Sequence, residues 1–247
     1  MRLTEDVCLV GSWQKGLSND YDCEVYALEA GEEVVLIDAG CGRETERILA
    51  NLKRDRVDPA RVGTVLLTHE HSDHAAGAAV FRERFGARVM CHAAARPLVE
   101  RGTDHELGLD VARPNGVLPQ DFQYRHSPVD RALEDGETVE VGALKVRVIF
   151  TPGHSPGSAC YLVDTAAGRA LFSGDVVFWG GLISLLNYWG CDLNAYRESL
   201  KKLAGLKVDL LLPGHHQFTL RDGQRHLDRA IDLSQRLYLP PSPPRFR

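Results

Sequence analysis

The sequence predicts an α/β protein, and three observations carry that expectation. Apolar runs of strand length alternate with helical patterns along the chain. The runs fall in two successive sets, one before and one after an aperiodic excursion at 102–126. No repeat and no linker-like stretch divides the 247 residues, so one domain over 1–238 and a proline-rich tail over 239–247 are expected. Two facing sheets with helices outside, a four-layer αββα sandwich, suit this order of elements. Periodicity alone specifies only α/β.

The elements follow in order. Val34-Val35-Leu36-Ile37 is a β-branched run that ends at Asp38-Ala39-Gly40, and a helix is expected over 44–52. Val65-Leu66-Leu67 is a second buried-strand run, followed by a helix over 75–85 that Gly86 is placed to stop. Val89-Met90-Cys91 reads as strand and 93–100 as helix. The excursion contains Pro114, Asn115-Gly116 and Pro119, and is expected to be a lid over a site or a plain surface loop. Strands resume at 139–141 and 145–150, where polar and apolar residues alternate, and continue at 160–163 and 170–172. Tyr196, Leu200, Leu203 and Ala204 share one helix face, with Gly205 placed to end it. A last strand is expected at 208–212 and a last helix over 224–238.

Composition bounds the function. With 44% apolar and 26% charged residues, a chain of this length builds its core without disulfides. Its six cysteines are far apart and form no CxxC pair, so reduced, buried thiols are expected. A net charge of −5 supplies no global basic field, and no nucleic-acid partner is expected. No run approaches the roughly 20 apolar residues of a membrane span. Residues 1–6 carry acids where a secretory leader would be apolar, so a cytoplasmic protein with a small-molecule substrate is expected.

The chemistry is concentrated in Thr68-His69-Glu70-His71-Ser72-Asp73-His74, just after a buried strand. Neutral imidazoles with a carboxylate suit zinc, iron or manganese. Alternate residues of an extended stretch share a direction, so His69 and His71 are placed to grip one ion. Asp73 and His74, past the bend, are placed to face a second. Further ligands are needed. Pro152-Gly153-His154, Gly174-Asp175 and Pro213-Gly214-His215 each put a ligand type after an apolar run, beside residues that turn the chain. His92, His105, His126, His216 and His226 match none of these positions, although His92 and His216 lie close to a strand end or a ligand.

HxHxDH, then a lone His, Gly-Asp and a lone His, in that order, resembles the metal signature of the metallo-β-lactamase superfamily. The resemblance spans Asp38 to His215. It implies an αββα sandwich of the metallo-β-lactamase type, with two divalent metal ions, zinc first and iron or manganese next, at one edge. It implies one ion on His69, His71 and His154, a second on Asp73, His74 and His215, and Asp175 as the bridge. Asp38 matches the family's early aspartate, a buried support for the site. The activity implied is metal-dependent hydrolysis of an ester, thioester or lactone by a metal-bridging hydroxide. Asp73 is the catalytic candidate, as orienter of the nucleophile or proton shuttle.

Departures from particular branches narrow this. His71 stands where redox di-iron relatives carry Glu, and Asp175 stands where zinc β-lactamases lack the bridge. The stretch 179–184 has no lysine for glutathione, which argues against a glutathione thioester, and Phe178 replaces the tyrosine of quorum-quenching lactonases. The alternatives are a mononuclear iron sulfur (persulfide) dioxygenase, against which His74 and His215 argue, and a phosphodiesterase of the same superfamily. Phe178, Trp179, Leu182, Leu185, Leu186, Tyr188 and Trp189 are expected to line an apolar substrate pocket or a core or homo-oligomer contact.

Overall fold

Two sheets lie at the centre of the fold, in a computed structural model that describes residues 1–236 and 241–242. The first holds β1 (Val7–Gly11), β2 (Val25–Ala30), β3 (Glu33–Ile37), β4 (Val62–Leu67), β5 (Arg88–His92) and β6 (Arg131–Leu133), side by side in chain order. Its first three strands pair antiparallel and the rest join in parallel. The second holds β7 (Thr138–Val141), β8 (Leu144–Phe150), β9 (Ala159–Thr165), β10 (Gly168–Gly174) and β11 (Leu210–Pro213). It is antiparallel except for the last pair.

Side-chain alternation explains the layering. In β3, Val34 and Leu36 pack outward against Ile48, Leu49 and Leu52 of α1 (Thr45–Arg54) and Phe81 of α3 (Ala78–Phe85). Val35 and Ile37 point the other way, toward Val146, Val148 and Tyr161 of the second sheet. Tyr26 meets Phe172 edge-on across that inner layer, with ring centres 5.4 Å apart. Outside the second sheet, Tyr196 and Leu200 of α6 (Leu193–Lys201) and Leu227 and Ala230 of α7 (Gln224–Ser234) cover Ile149, Leu171 and Leu211. Each such leucine, isoleucine or valine contributes about 1.5–3 kcal/mol by leaving water. The α6 start is set by Asp192, whose carboxylate accepts from the Asn194 and Ala195 amides at 2.7 and 3.1 Å.

Several boundaries differ from the sequence expectation. The helix expected over 75–85 is two pieces, α2 (Ser72–Ala75) and α3, with Gly77 between them. A Cβ at Gly77 would stand 2.1 Å from the Ala39 carbonyl oxygen, so the chain runs tight against the Asp38 turn there. Gly86 is left-handed and ends α3 as expected. The helix expected at 93–100 is α4 (Arg96–Arg101), and the excursion carries a one-turn helix, α5 (Leu109–Ala112). The first sheet does not close at the excursion, since β6 returns to it afterwards. The helix expected to 238 is described to Ser234, and the tail, Pro241 and Ser242 apart, lies outside the described residues. Five of the six cysteines are buried, and all six are free thiols. Among the described residues no helix is long and apolar enough to cross a membrane.

Candidate metal centre

The loops after β4, β8, β10 and β11 bring all seven expected residues to one place. His69, His71 and His154 form one set, and Asp73, His74 and His215 another, with ligand-type atoms within 4.8 Å of one another in each. Asp175 lies between them: one oxygen is 3.6 Å from both His154 Nε2 and His215 Nε2, and the other is 3.4 Å from His74 Nε2. Two glycines permit this closeness. A Cβ at Gly153 would meet the Tyr196 Cα at 2.4 Å, and one at Gly214 would meet His74 Cε1 at 2.5 Å.

Hydrogen bonds fix the state of the rings. His154 Nδ1 lies 2.9 Å from the Ser184 carbonyl oxygen, which only accepts, so Nδ1 carries the proton and Nε2 the lone pair. Asp38 accepts from His74 Nδ1 at 2.8 Å, which commits that proton in the same way. Asp38 also accepts from the Thr68 hydroxyl at 2.8 Å, so the Thr68 oxygen accepts from His69 Nδ1 at 3.0 Å. His69 Nε2 and His154 Nε2 are therefore turned inward as acceptors, and His74 Nε2 faces inward beside them. His69 Nε2 and His154 Nε2 both face His71 Nδ1, at 3.1 and 3.0 Å. Nitrogen meets nitrogen, and a single proton on His71 satisfies one of these contacts at most. Asp175 Oδ1 is buried with no hydrogen-bond partner. Converging lone pairs and an orphaned carboxylate oxygen fit divalent cations.

The electrostatics agree with that fit. Burial, with charge repulsion from neighbouring rings, holds His69 well below the ordinary imidazole value, and it pushes His71 down to about 3. Burial also lowers His154. These rings are neutral near pH 7, the state a metal ligand needs. Burial alone would raise Asp73 and Asp175. His74 and His215 reverse this, bringing Asp73 to about 2 and Asp175 well below the carboxylate range. In turn, the surrounding anionic groups outweigh burial and raise His74 and His215. Two fixed carboxylates thus draw positive charge into this half of the site.

Asp38 sits at φ 62°, in the left-handed region, at a cost of about 1–2 kcal/mol. Its acceptor bonds to the Thr68 amide (2.7 Å), the Thr68 hydroxyl and His74 offset that cost. Sequence reasoning missed Thr68, although a hydroxyl directly before the histidine motif was the available signal. It also missed Tyr196, whose hydroxyl donates to the main chain of the Asp175–Val176 turn, at 2.9 Å to the Asp175 carbonyl. Glu70, inside the motif, points away from the cluster into the protein. Its oxygens are buried without a hydrogen bond of good geometry, and burial outweighs the weak help of Ser155 and the Gly157 backbone to push its carboxyl up to about 7.

His71, Asp73, Asp175 and His215 of the cluster form the floor of a cavity of about 570 Å³. Of the seven residues expected in a pocket wall or in a core or homo-oligomer contact, Phe178, Leu185, Leu186 and Tyr188 line the cavity. Trp179 and Trp189 are exposed, and Leu182 is not part of the cavity lining. The excursion supplies a wall through Leu107, Ala112 and the stretch 115–118. Of the unmatched histidines, His92 stacks on Phe150 at 3.7 Å, His105 pairs with Asp110, and His126 and His226 bond to the backbone of Val99 and Gly180. Only His216 among them lines the cavity.

Comparison with known proteins matches this architecture. The family model of the metallo-beta-lactamase superfamily matches residues 19–215, and the chain belongs to that family. It is 30% identical over 216 residues to an atrochrysone carboxyl ACP thioesterase of Aspergillus fumigatus, covering 85% of this chain and 56% of that one. It is 35% identical over 170 residues to a hydroxyacylglutathione hydrolase of Acidiphilium cryptum, covering 68% and 56%. The chain thus spans about half the length of these two curated relatives. A subclass B3 metallo-beta-lactamase of Bradyrhizobium japonicum superposes with a TM-score of 0.73 at 23% identity, over 95% of this chain and 90% of that one, which shows the shared fold.

Proposed function

We propose that the chain is a hydrolase with a dinuclear metal site, acting on a small-molecule thioester or ester. One observation carries the reading: two donor sets share Asp175, and their lone pairs converge at the floor of a cavity. His69, His71 and His154 would hold one ion, and Asp73, His74 and His215 the other. Histidine-rich sets of this kind favour zinc. When bound, the ions would supply Lewis acidity and a hydrolytic nucleophile at neutral pH.

The chain's own residues do the rest. Asp73 is held anionic and its side chain is 30% exposed, so its carboxylate accepts a hydrogen bond from a hydroxyl at the cavity floor and orients it. Asp38, Thr68 and the Ser184 carbonyl keep three rings in the ligating tautomer. Leu107, Val117, Leu118, Leu185 and Leu186 give the cavity an apolar wall that suits an acyl group and excludes water from it. The activities for which the two curated relatives are named, those of a thioesterase and a hydroxyacylglutathione hydrolase, favour a thioester over a lactone.

The test is a panel of acyl thioesters, esters and lactones, assayed with zinc-loaded protein and with Asp175→Ala. The expected result is thiol release from apolar acyl thioesters, falling by about 100-fold or more in the variant. Equal rates in both proteins, or no turnover of any member, would remove the reading.

A further inference from the structure

His216 follows a proposed ligand, matches no motif position and lines the cavity. Its backbone is left-handed, at φ 66°, where a side chain is tolerated at a cost. Three of its four polar groups are committed. Its amide donates to Gln14 Oε1, its carbonyl accepts from Lys15 Nζ at 2.8 Å, and its Nδ1 lies 2.9 Å from Gln14 Nε2. Lys15 is itself held by the buried carboxylate of Glu24 at 2.7 Å. Phe178 packs against the ring edge-on, with centres 5.4 Å apart.

These contacts determine a tautomer. A backbone amide can only donate, so the Gln14 atom facing it is the carbonyl oxygen. The other end of the same amide, facing His216 Nδ1, is then the NH2 group, which can only donate. Nδ1 must accept, and the ring's proton must sit on Nε2. Among the described residues Nε2 has no hydrogen-bond partner. The ring centre is 6.3 Å from that of His215, a proposed ligand.

We infer that His216 is a specificity-determining residue: its Nε2–H is a hydrogen-bond donor for an acceptor group carried by the substrate a few bonds from the scissile carbonyl. Gln14 is its positioning residue. A ketone, amide or carboxylate oxygen has the required chemistry, and a purely aliphatic acyl chain does not. The inference rests on the hydrolase reading only in taking this cavity as the substrate site.

The test uses the zinc-loaded protein and two readouts. Long-range 1H–15N correlation of the histidine rings, assigned with His216→Phe, reads the tautomer. An unprotonated Nδ1 and a protonated Nε2 are expected in the wild type. In Gln14→Glu, where two acceptors face the residue, Nδ1 gains the proton. A wild-type Nδ1–H ring, or the same ring state in Gln14→Glu, overturns the inference. The second readout is the affinity of two probe acids of equal chain length, 4-oxopentanoate and pentanoate, by calorimetric titration. The keto acid is expected to bind about fivefold tighter, the size of one hydrogen bond, and His216→Phe to abolish the preference. Equal affinities, failure of either acid to bind, or a preference that survives the substitution overturns it. If the preference holds while no thioester or ester is hydrolysed, the proposed activity fails and the donor role of His216 stands.

Discussion

Replacing Asp38 by Asn should weaken one half of the proposed metal centre and spare the other. Asp38 is purely an acceptor, taking protons from the Thr68 amide at 2.7 Å on Oδ1 and from His74 Nδ1 at 2.8 Å on Oδ2. Asn tolerates the same left-handed backbone, so the turn is kept. An amide offers a single acceptor oxygen. Turning its NH2 toward the Thr68 amide would bury two donors face to face, at about 1–3 kcal/mol. The oxygen therefore stays on Thr68 and the NH2 faces His74. His74 must then accept at Nδ1 and move its proton to Nε2, which removes Nε2 as a ligand. The Thr68 hydroxyl still reaches the surviving oxygen, 3.1 Å away, so His69 keeps its tautomer. Loss of such a supporting partner costs about 10–100-fold in metal affinity, or about 1.4–2.7 kcal/mol. Zinc titration against a competing chelator would show one binding step unchanged and one weakened by that factor. Two unchanged steps, or both weakened equally, would refute the tautomer argument.

Three further outcomes are expected. Glu70 has a folded pKa of about 7 against an ordinary 4.5, so its neutral form stabilises the fold fully below pH 4.5, and that stability is lost as pH rises through 7. The loss is about 3 kcal/mol. In urea unfolding of metal-free protein, Glu70→Gln should gain about that much over wild type between pH 4.5 and pH 8, and identical pH slopes would contradict it. Gly77→Ala drives a methyl group into the Ala39 carbonyl. It should cost about 3 kcal/mol and lower the Tm by about 10 °C, and an unchanged melting curve would contradict it. Stripping metal with a chelator should lower the Tm by a similar amount, since saturating ligand contributes about 4 kcal/mol at 1,000 times its Kd. A Tm indifferent to chelator would mean that no ion is held by the fold.

The site was far more legible in the sequence than the fold around it. Ligand chemistry restricts the residue types, and each ligand follows an apolar run, so His69 to His74, His154, Asp175 and His215 stood out before any contact was known. The strands β1 and β2 were missed because both are buried on both faces, and Val25–Ala30 has the alanine, leucine and glutamate content of a helix. The strand β6 is three residues long, too short for any period to register. Gly77 split an expected helix for a tertiary reason, the nearby Ala39 carbonyl. The pairing of Gln14 with His216 joins residues 202 apart in the chain, and only the folded backbone brings them together.

The most direct test of the account is elemental analysis of protein purified without chelator. About two divalent ions per chain, zinc foremost, are expected, falling to about one or fewer in Asp175→Ala. A single iron per chain in the wild type would point to the dioxygenase alternative. No metal, with none taken up on titration, would contradict the central claim.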